Sequence, residues 1–301
     1  MSSPTIASLR SVALNMPDLA KAEAFYTDVW KLTVAARGDK VIYMRGTGAD
    51  HHLLSLHAGG ETPQIRHVTF RARSEAALAD IAKAAVAAGG TVAVPLGPLN
   101  EPAGGVGLTV RDQDGRLVQV VFGDARHNDT QEDKDHPIRL AHVVLNAHDI
   151  PKSQRFFEAA MGFRMVDRTR IMAFMNCNSD HHSLALGDSD NDALNHIAFL
   201  MPEMESVMRG GGRMKDAGHA IEWGPGRHGP GNNAFNYFID PFGVVIEYTA
   251  DVQQIDESYR TGTPEDWKWP AGRVDHWGIS APPSAKLKEA QRAVFFVASE
   301  A

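Results

Sequence analysis

The 301-residue chain repeats itself, and the repeat limits what it can fold into. SVALNMPDLAKAEAFYTDVWKL, starting at Ser11, is answered by HVVLNAHDIPKSQRFFEAAMGF, starting at His142. ADHHLLSL, with His51 and His52, is answered by SDHHSLAL, with His181 and His182, and IRHVTFRA around His67 by LNHIAFLM around His196. VRDQDGRLVQVVF and FIDPFGVVIEYTA then pair Asp112 with Asp240, Gly115 with Gly243 and Gln119 with Glu247. Partners stay roughly 130 residues apart throughout, the regularity of an internal duplication. Two homologous domains are therefore expected, over residues 1–124 and 138–252, joined by a polar linker at 125–137 and followed by a tail at 253–301. With 43% hydrophobic residues the chain is long enough for two domains with separate cores.

Within each half, short β-rich runs surround two helical stretches. LRSVALNM leads to a helix from about Ala20 to Trp30, followed by KVIYMRG and HLLSLHA; IRHVTFRA leads to the helix SEAALADIAKAAVAAGG and then to strands ending in LVQVVFG. Each half is thus a pair of strand-helix-strands units, an α+β arrangement expected to form mostly antiparallel sheets curved around a cavity. MRGGGR, from Met208 to Arg213, reads as a flexible loop or a break in the second helix of the second half. The tail carries Trp267, Trp269 and Trp277, too aromatic for a disordered end; it is expected to pack back on the domains, with a short helix in SAKLKEAQRAVFFVAS.

A net charge of −7 without a long basic run excludes a protein built to grip nucleic acid or an anionic membrane surface. MSSPTIASLR lacks the order of a signal peptide and no apolar run is long enough to span a bilayer, so a soluble cytoplasmic protein is expected. The single cysteine, Cys177, makes neither an internal disulfide nor a cysteine-rich metal site.

His142, His196 and Glu247 each interrupt a short apolar strand in the second half. Two imidazoles and one carboxylate form a triad that holds one face of a metal and leaves the other open. Glu247 is the most telling, because GVVIEY is apolar enough to be buried and an unpaired buried carboxylate costs several kcal/mol unless a cation compensates it. The matching residues of the first half are Ser11, His67 and Gln119, a poor ligand set, so any metal belongs to the second half and the first reads as structural. Tyr237 likewise faces Thr109 in the first copy.

With HHSLAL, GPGRHGPGNNAFNYFIDPFG and VIEYTAD, this pattern resembles the type I extradiol catechol dioxygenases of the vicinal oxygen chelate superfamily, over residues 7–252. The resemblance implies tandem domains of paired βαβββ modules, with metal only in the C-terminal one. It also implies non-haem Fe(II), or Mn(II), on His142, His196 and Glu247, with a catecholic substrate and O2 meeting there and the ring opening beside the diol in aromatic-compound catabolism. Matched by position, His182 would act as acid and base beside the oxygen site, His228 would bond the substrate oxygen, and Tyr237 would donate to the deprotonated catecholate. A homo-oligomer is the expected assembly. A glyoxalase-type metal-dependent isomerase and a metal-free small-molecule binder of bleomycin-resistance type are the alternatives on the same fold. Substrate choice is expected to rest on residues near Met172, Phe174, Met175 and the 200–215 segment.

Overall fold

The computed structural model describes residues 5–298. The first half supplies β1 (Ile6–Met16), β2 (Thr33–Gly38), β3 (Val41–Arg45), β4 (Leu54–Ala58), β5 (Gln64–Ala72), β6 (Thr91–Pro98), β7 (Val106–Arg111) and β8 (Leu117–Phe122). They form one sheet in the order β2-β3-β4-β1-β5-β8-β7-β6. The second half supplies β9 (Arg139–Ala147), β10 (Arg164–Arg168), β11 (Met172–Asn176), β12 (Leu184–Asp188), β13 (Leu194–Leu200), β14 (Trp223–Arg227), β15 (Ala234–Ile239) and β16 (Val245–Ala250). Their order, β10-β11-β12-β9-β13-β16-β15-β14, is the same permutation, so the sequence repeat is a repeat of topology. Most neighbours are antiparallel; β4 with β1 and β5 with β8 run parallel, as do their counterparts β12 with β9 and β13 with β16.

Matching caps start the corresponding helices. Asp18 accepts from the Lys21 amide at the start of α1 (Leu19–Ala24), and Asp149 from the Lys152 amide at the start of α3 (Ile150–Met161). Each satisfies an amide that has no partner within the first turn. The first helix is not a plain α-helix to Trp30: it continues as a π-turn over Phe25–Val29, whereas α3 stays regular and stops at Gly162, in the left-handed region at φ 69°. Ser74 caps α2 (Glu75–Ala87).

MRGGGR lies inside α4 (Met204–Asp216) rather than in a loop. Its glycines permit close approach: a Cβ on Gly210 would come within 2.7 Å of the Tyr248 ring and one on Gly211 within 2.9 Å of Asn236, while one on Gly212 would meet nothing. The helix therefore lies directly on β15 and β16, the strands that carry Tyr237 and Glu247.

The two halves share one continuous core instead of having separate ones. Trp30 stacks on Tyr248 at 3.6 Å, and the Tyr248 hydroxyl donates to the Trp30 carbonyl. Tyr26 donates to Asp240, whose carboxyl burial pushes up to about 6. Arg116, fully buried, reaches from the β7–β8 turn to the Asn146 carbonyl and to Asp192. Each half brings an apolar sheet face and helix pair too large to leave in water, and joining them covers both.

After β16 the tail runs back over both sheets. It holds a short helix, α5 (Ala285–Ala290), as expected, and its last described stretch bonds to both halves, with Leu194 donating to the Val294 carbonyl and Val297 to that of Ile65. No helix among the described residues is long and apolar enough to cross a membrane.

Gly210→Val should overpack the α4 contact and lower stability by about 1–3 kcal/mol, whereas Gly212→Ala should raise it by about 0.5–1 kcal/mol. Urea unfolding midpoints of the two variants test the pair, and equal effects would contradict the packing role of Gly210.

Candidate metal centre

Strand register builds the site. Ala198 lies opposite His142 across β13 and β9 and opposite Glu247 across β13 and β16, and Glu247 lies opposite Tyr237 across β16 and β15. Residues directly opposite in a ladder share a face, so this row projects to one side of the sheet. Ala198, the smallest member, leaves room above it, and His196 enters the same space from two residues earlier on β13, next to a bulge.

The Nε2 atoms of His142 and His196 each lie 3.2 Å from Glu247 Oε2. That spacing is what adjacent ligands of a six-coordinate metal show, since bonds of about 2.1 Å at right angles put donors about 3 Å apart. All three side chains are buried, yet Glu247 Oε2 has no hydrogen-bond partner. A completely buried carboxylate oxygen without a donor is costly, and a divalent cation at the convergence point removes that cost. The residues fit a metal.

The surrounding groups hold this arrangement. Asn195 Oδ1 lies 2.8 Å from His196 Nδ1 and is itself tied to Asn146, which sets the His196 ring with Nε2 inward. Asn233 lies between Thr249 and Glu247. Burial pushes His196 down to about 4, keeping it the neutral imidazole a metal requires. For Glu247 burial acts upward, but His142, His196 and His228 around it hold the carboxyl well below its ordinary range.

His182, His228 and Tyr237 lie on the same cavity. The His182 ring is 4.4 Å from that of His142. The loop after β14 carries His228, which stacks on Phe235 and places Nε2 3.1 Å from the Tyr237 hydroxyl. Tyr237 is raised well above its ordinary value, by burial first and then by the Glu247 charge, so it stays a hydroxyl donor.

The cavity measures about 590 Å³, within the range of small-molecule sites. Met172 and Phe174 line it as expected. Met175 does not: alternation along β11 turns it into the core with Ala173. The 200–215 segment also stays outside the lining, because α4 covers the opposite side of the sheet. Part of the wall comes instead from the tail, through Trp267, Trp269, Lys288 and Gln291. Trp277 lies outside the lining, against Arg227. The aromatic tail offered two readings in the sequence, packing on the domains or closing over the site, and Trp267 and Trp269 do line the cavity; Asn195 was missed. Asn195 stands where the first half has Arg66, a difference the repeat does display; the path of the tail leaves no trace in periodicity.

The first half solves the same cavity problem without a metal. Thr69 replaces Ala198 in the row and donates to Gln119, while the fully buried Arg10 guanidinium donates to Ser11 and His52. A fixed cation and neutral hydrogen bonds fill the space. A second grouping, Asp114, His148 and Asp192, faces Arg116 and Lys152, which already supply its countercharge.

The profile of the Glyoxalase/Bleomycin resistance protein/Dioxygenase superfamily matches residues 8–120 and 139–248, one copy per half. The chain belongs to this superfamily. It is 30% identical to Metapyrocatechase 2 of Cupriavidus necator over 91% of this chain and 90% of that protein. Among solved structures, the Mn(II)-bound glyoxalase of Novosphingobium aromaticivorans has a TM-score of 0.87 at 30% identity, covering 94% of each chain. A mutant of homoprotocatechuate 2,3-dioxygenase from Brevibacterium fuscum has a TM-score of 0.79 at 25% identity, covering 92% of this chain and 80% of that one. The α+β fold of tandem paired modules is that of the superfamily.

Glu247→Gln and His196→Ala should each abolish tight binding of Fe(II) or Mn(II), and His67→Ala should leave it unchanged; elemental analysis after desalting reads the outcome, and metal retained in the triad variants would refute the site. A second expectation concerns pH. Burial pushes His67 down to about 3 and His57 to about 4, both below the 6.5 of an exposed imidazole. The unfolded chain therefore binds more protons between those values, and stability falls as pH drops from about 6.5 toward 3. Urea midpoints at pH 7 and pH 5 should differ less in His67→Gln than in the parent.

Proposed function

We propose that the protein is an extradiol ring-cleaving dioxygenase, using non-haem Fe(II) or Mn(II) on His142, His196 and Glu247 to insert both atoms of O2 into a catechol beside its diol. The observation that carries this reading is the three-donor set on one side of an open cavity, with His182, His228 and Tyr237 facing the space the donors leave free. The likeness to Metapyrocatechase 2 over nearly the whole chain supports it. When bound, the metal supplies adjacent open positions at which a vicinal diol and dioxygen meet, and a path for electrons between them.

The chain's own groups handle protons and orientation. Tyr237, kept protonated by burial and by Glu247, donates its hydroxyl hydrogen to a catecholate oxygen. His228, 3.1 Å from that hydroxyl, holds it in place and bonds the substrate from the loop side. Burial lowers His182 well below the ordinary imidazole value, so it enters the reaction neutral, able to accept a proton from the diol and return it to an oxygen derived from O2 as the O–O bond breaks. Trp267, Trp269 and Phe174 exclude water around the ring. In this reading residues 138–252 are the catalytic domain and residues 1–124 its metal-free support.

The glyoxalase neighbour makes isomerisation the competing reaction, and oxygen separates the two. Anaerobically prepared, Fe(II)- or Mn(II)-loaded protein should consume one O2 per catechol and give a yellow ring-opened product, with His196→Ala inactive. Tyr237→Phe should lower kcat by roughly 10-fold to 100-fold with little change in metal content. Turnover of a hemithioacetal without oxygen uptake would overturn the assignment.

A further inference from the structure

Behind His182, on the side away from the cavity, a chain of buried polar groups continues. His181 Nδ1 lies 3.0 Å from His182 Nδ1, and the other nitrogen of His181, Nε2, lies 2.7 Å from Asp167 Oδ2. Asp167 and His181 are fully buried and His182 nearly so. Asp167 is itself fixed from the tail: the Gly262 amide donates to Oδ1 at 2.8 Å and the Tyr259 hydroxyl to Oδ2 at 3.0 Å. Neither Asp167 nor His181 lines the cavity, and neither belongs to the donor set.

Hydrogen positions follow from what each atom can do. A carboxylate only accepts, so His181 Nε2 carries a hydrogen and points it at Asp167. One hydrogen then bridges the two Nδ1 atoms, 3.0 Å apart, and with a single hydrogen on each ring it belongs to His182, whose Nδ1–H donates to the His181 lone pair. His182 is left with Nε2 bare.

The duplicated half provides an internal comparison. His51 and His52 repeat the contact, Nδ1 to Nδ1 at 3.1 Å. There His52 Nε2 lies 3.0 Å from the Arg10 guanidinium, which only donates, so His52 has the same tautomer, fixed from its Nε2 side. Among the described residues no carboxylate is hydrogen-bonded to the His51 ring. The strand position matching Asp167, opposite Tyr43 as Asp167 is opposite Phe174, is Ala36, and His51 stacks on His127 instead. In the metal-free half a cation in front fixes the tautomer. In the metal half that space must stay open for substrate, and the fixing group is behind.

We propose that Asp167 and His181 are positioning residues that lock the ring plane and the Nδ1–H tautomer of His182, so that a bare Nε2 faces the substrate cavity. This rests on the reading of His182 as the proton-handling group. The same arrangement explains why the tail is ordered against β10: through Tyr259 and Gly262 it holds the acid on which the tautomer depends.

Asp167→Asn tests it without changing shape. The Gly262 amide requires an acceptor, so the new amide must turn its oxygen there and its NH2 toward His181. His181 then exposes a bare Nε2, carries its hydrogen on Nδ1, and forces His182 to hold its own on Nε2. An orienting Asp changed to Asn in a serine protease acts through such a wrong tautomer. Two-bond 15N–1H correlation spectra of 15N-histidine-labelled, Zn(II)-loaded full-length chain should place the His182 hydrogen on Nδ1 in the parent and on Nε2 in Asp167→Asn. With Fe(II), kcat for catechol should fall on the order of 100-fold while KM and iron content change less than about twofold. His181→Phe, which removes the acceptor but keeps a ring, should lower kcat similarly and leave His182 as a mixture of tautomers.

An unchanged His182 tautomer in both variants, with kcat at the parental level, would overturn the proposal. His182→Asn separates this from failure of the underlying reading. If that variant keeps full kcat, His182 has no part in turnover, whatever the spectra give; if it loses kcat while Asp167→Asn does not, the positioning role alone is wrong.

Discussion

The rest of the site depends on one oxygen atom. Glu247 Oε2 is buried, has no hydrogen-bond donor, and stands 3.2 Å from two imidazole nitrogens. In a low-dielectric interior such an oxygen is tolerable only opposite positive charge, so the sheet is arranged around an anion that calls for a cation beside it. The order of strands makes this possible. β9, β13 and β16 are adjacent, their facing residues are His142, Ala198 and Glu247, and the alanine leaves the volume in which the donors meet. Replacing Ala198 by anything larger would place a side chain where the ion belongs.

The first half, with the same strand order, fills the equivalent space from within. Thr69 occupies the alanine position, Gln119 is bonded by it, and the buried Arg10 guanidinium provides a covalently attached cation in contact with Ser11 and His52. Duplication thus gave two copies of one polar-lined cavity and two ways of stabilising it, a removable cation or a fixed one. Only the removable one leaves open positions for chemistry. The shared core explains why the closed copy is retained: Trp30 lies against Tyr248, next in sequence to Glu247, and Gly210 lets α4 press on the same ring. The first half therefore buttresses the strand that carries the carboxylate.

This contrast is also why so much was legible in the sequence. A repeat with an internal control identifies the positions that differ, and Ser11, Gln119 and Thr109 opposite His142, Glu247 and Tyr237 mark out one half from the sequence alone. Which residues of one strand share a face follows from periodicity, whereas the strand order and the row of facing residues come from the pairing. Three further kinds of feature are not legible in the sequence either. MRGGGR resembles a loop because glycine signals flexibility and close approach alike, and only the position of the Tyr248 ring shows which applies. Met175 alternates into the core although its neighbour Phe174 faces the cavity, and a strand's phase is fixed only once its pairing is known. Asp167 sits in RMVDRTR with nothing to link it to His181, fourteen positions away, until β10 and β11 pair and the tail closes over them.

The tail joins these threads. It crosses Asp167 through Gly262 and Tyr259, passes over the cavity with Trp267 and Trp269, and ends against the first residues of β13 and β5, one strand in each half, through Val294 and Val297. The segment that belongs to neither repeat is thus the one that touches Asp167 behind His181, the cavity wall and both halves. Gly229 lies so close to the rings of Trp267 and Trp269 that a Cβ would fall 2.7 Å from the latter. The His228 loop and the tail are therefore seated on each other, and displacing one must displace the other. A ligand too large for the cavity as it stands has to move that pair together, because Gly229 and the two indole rings leave no space between them.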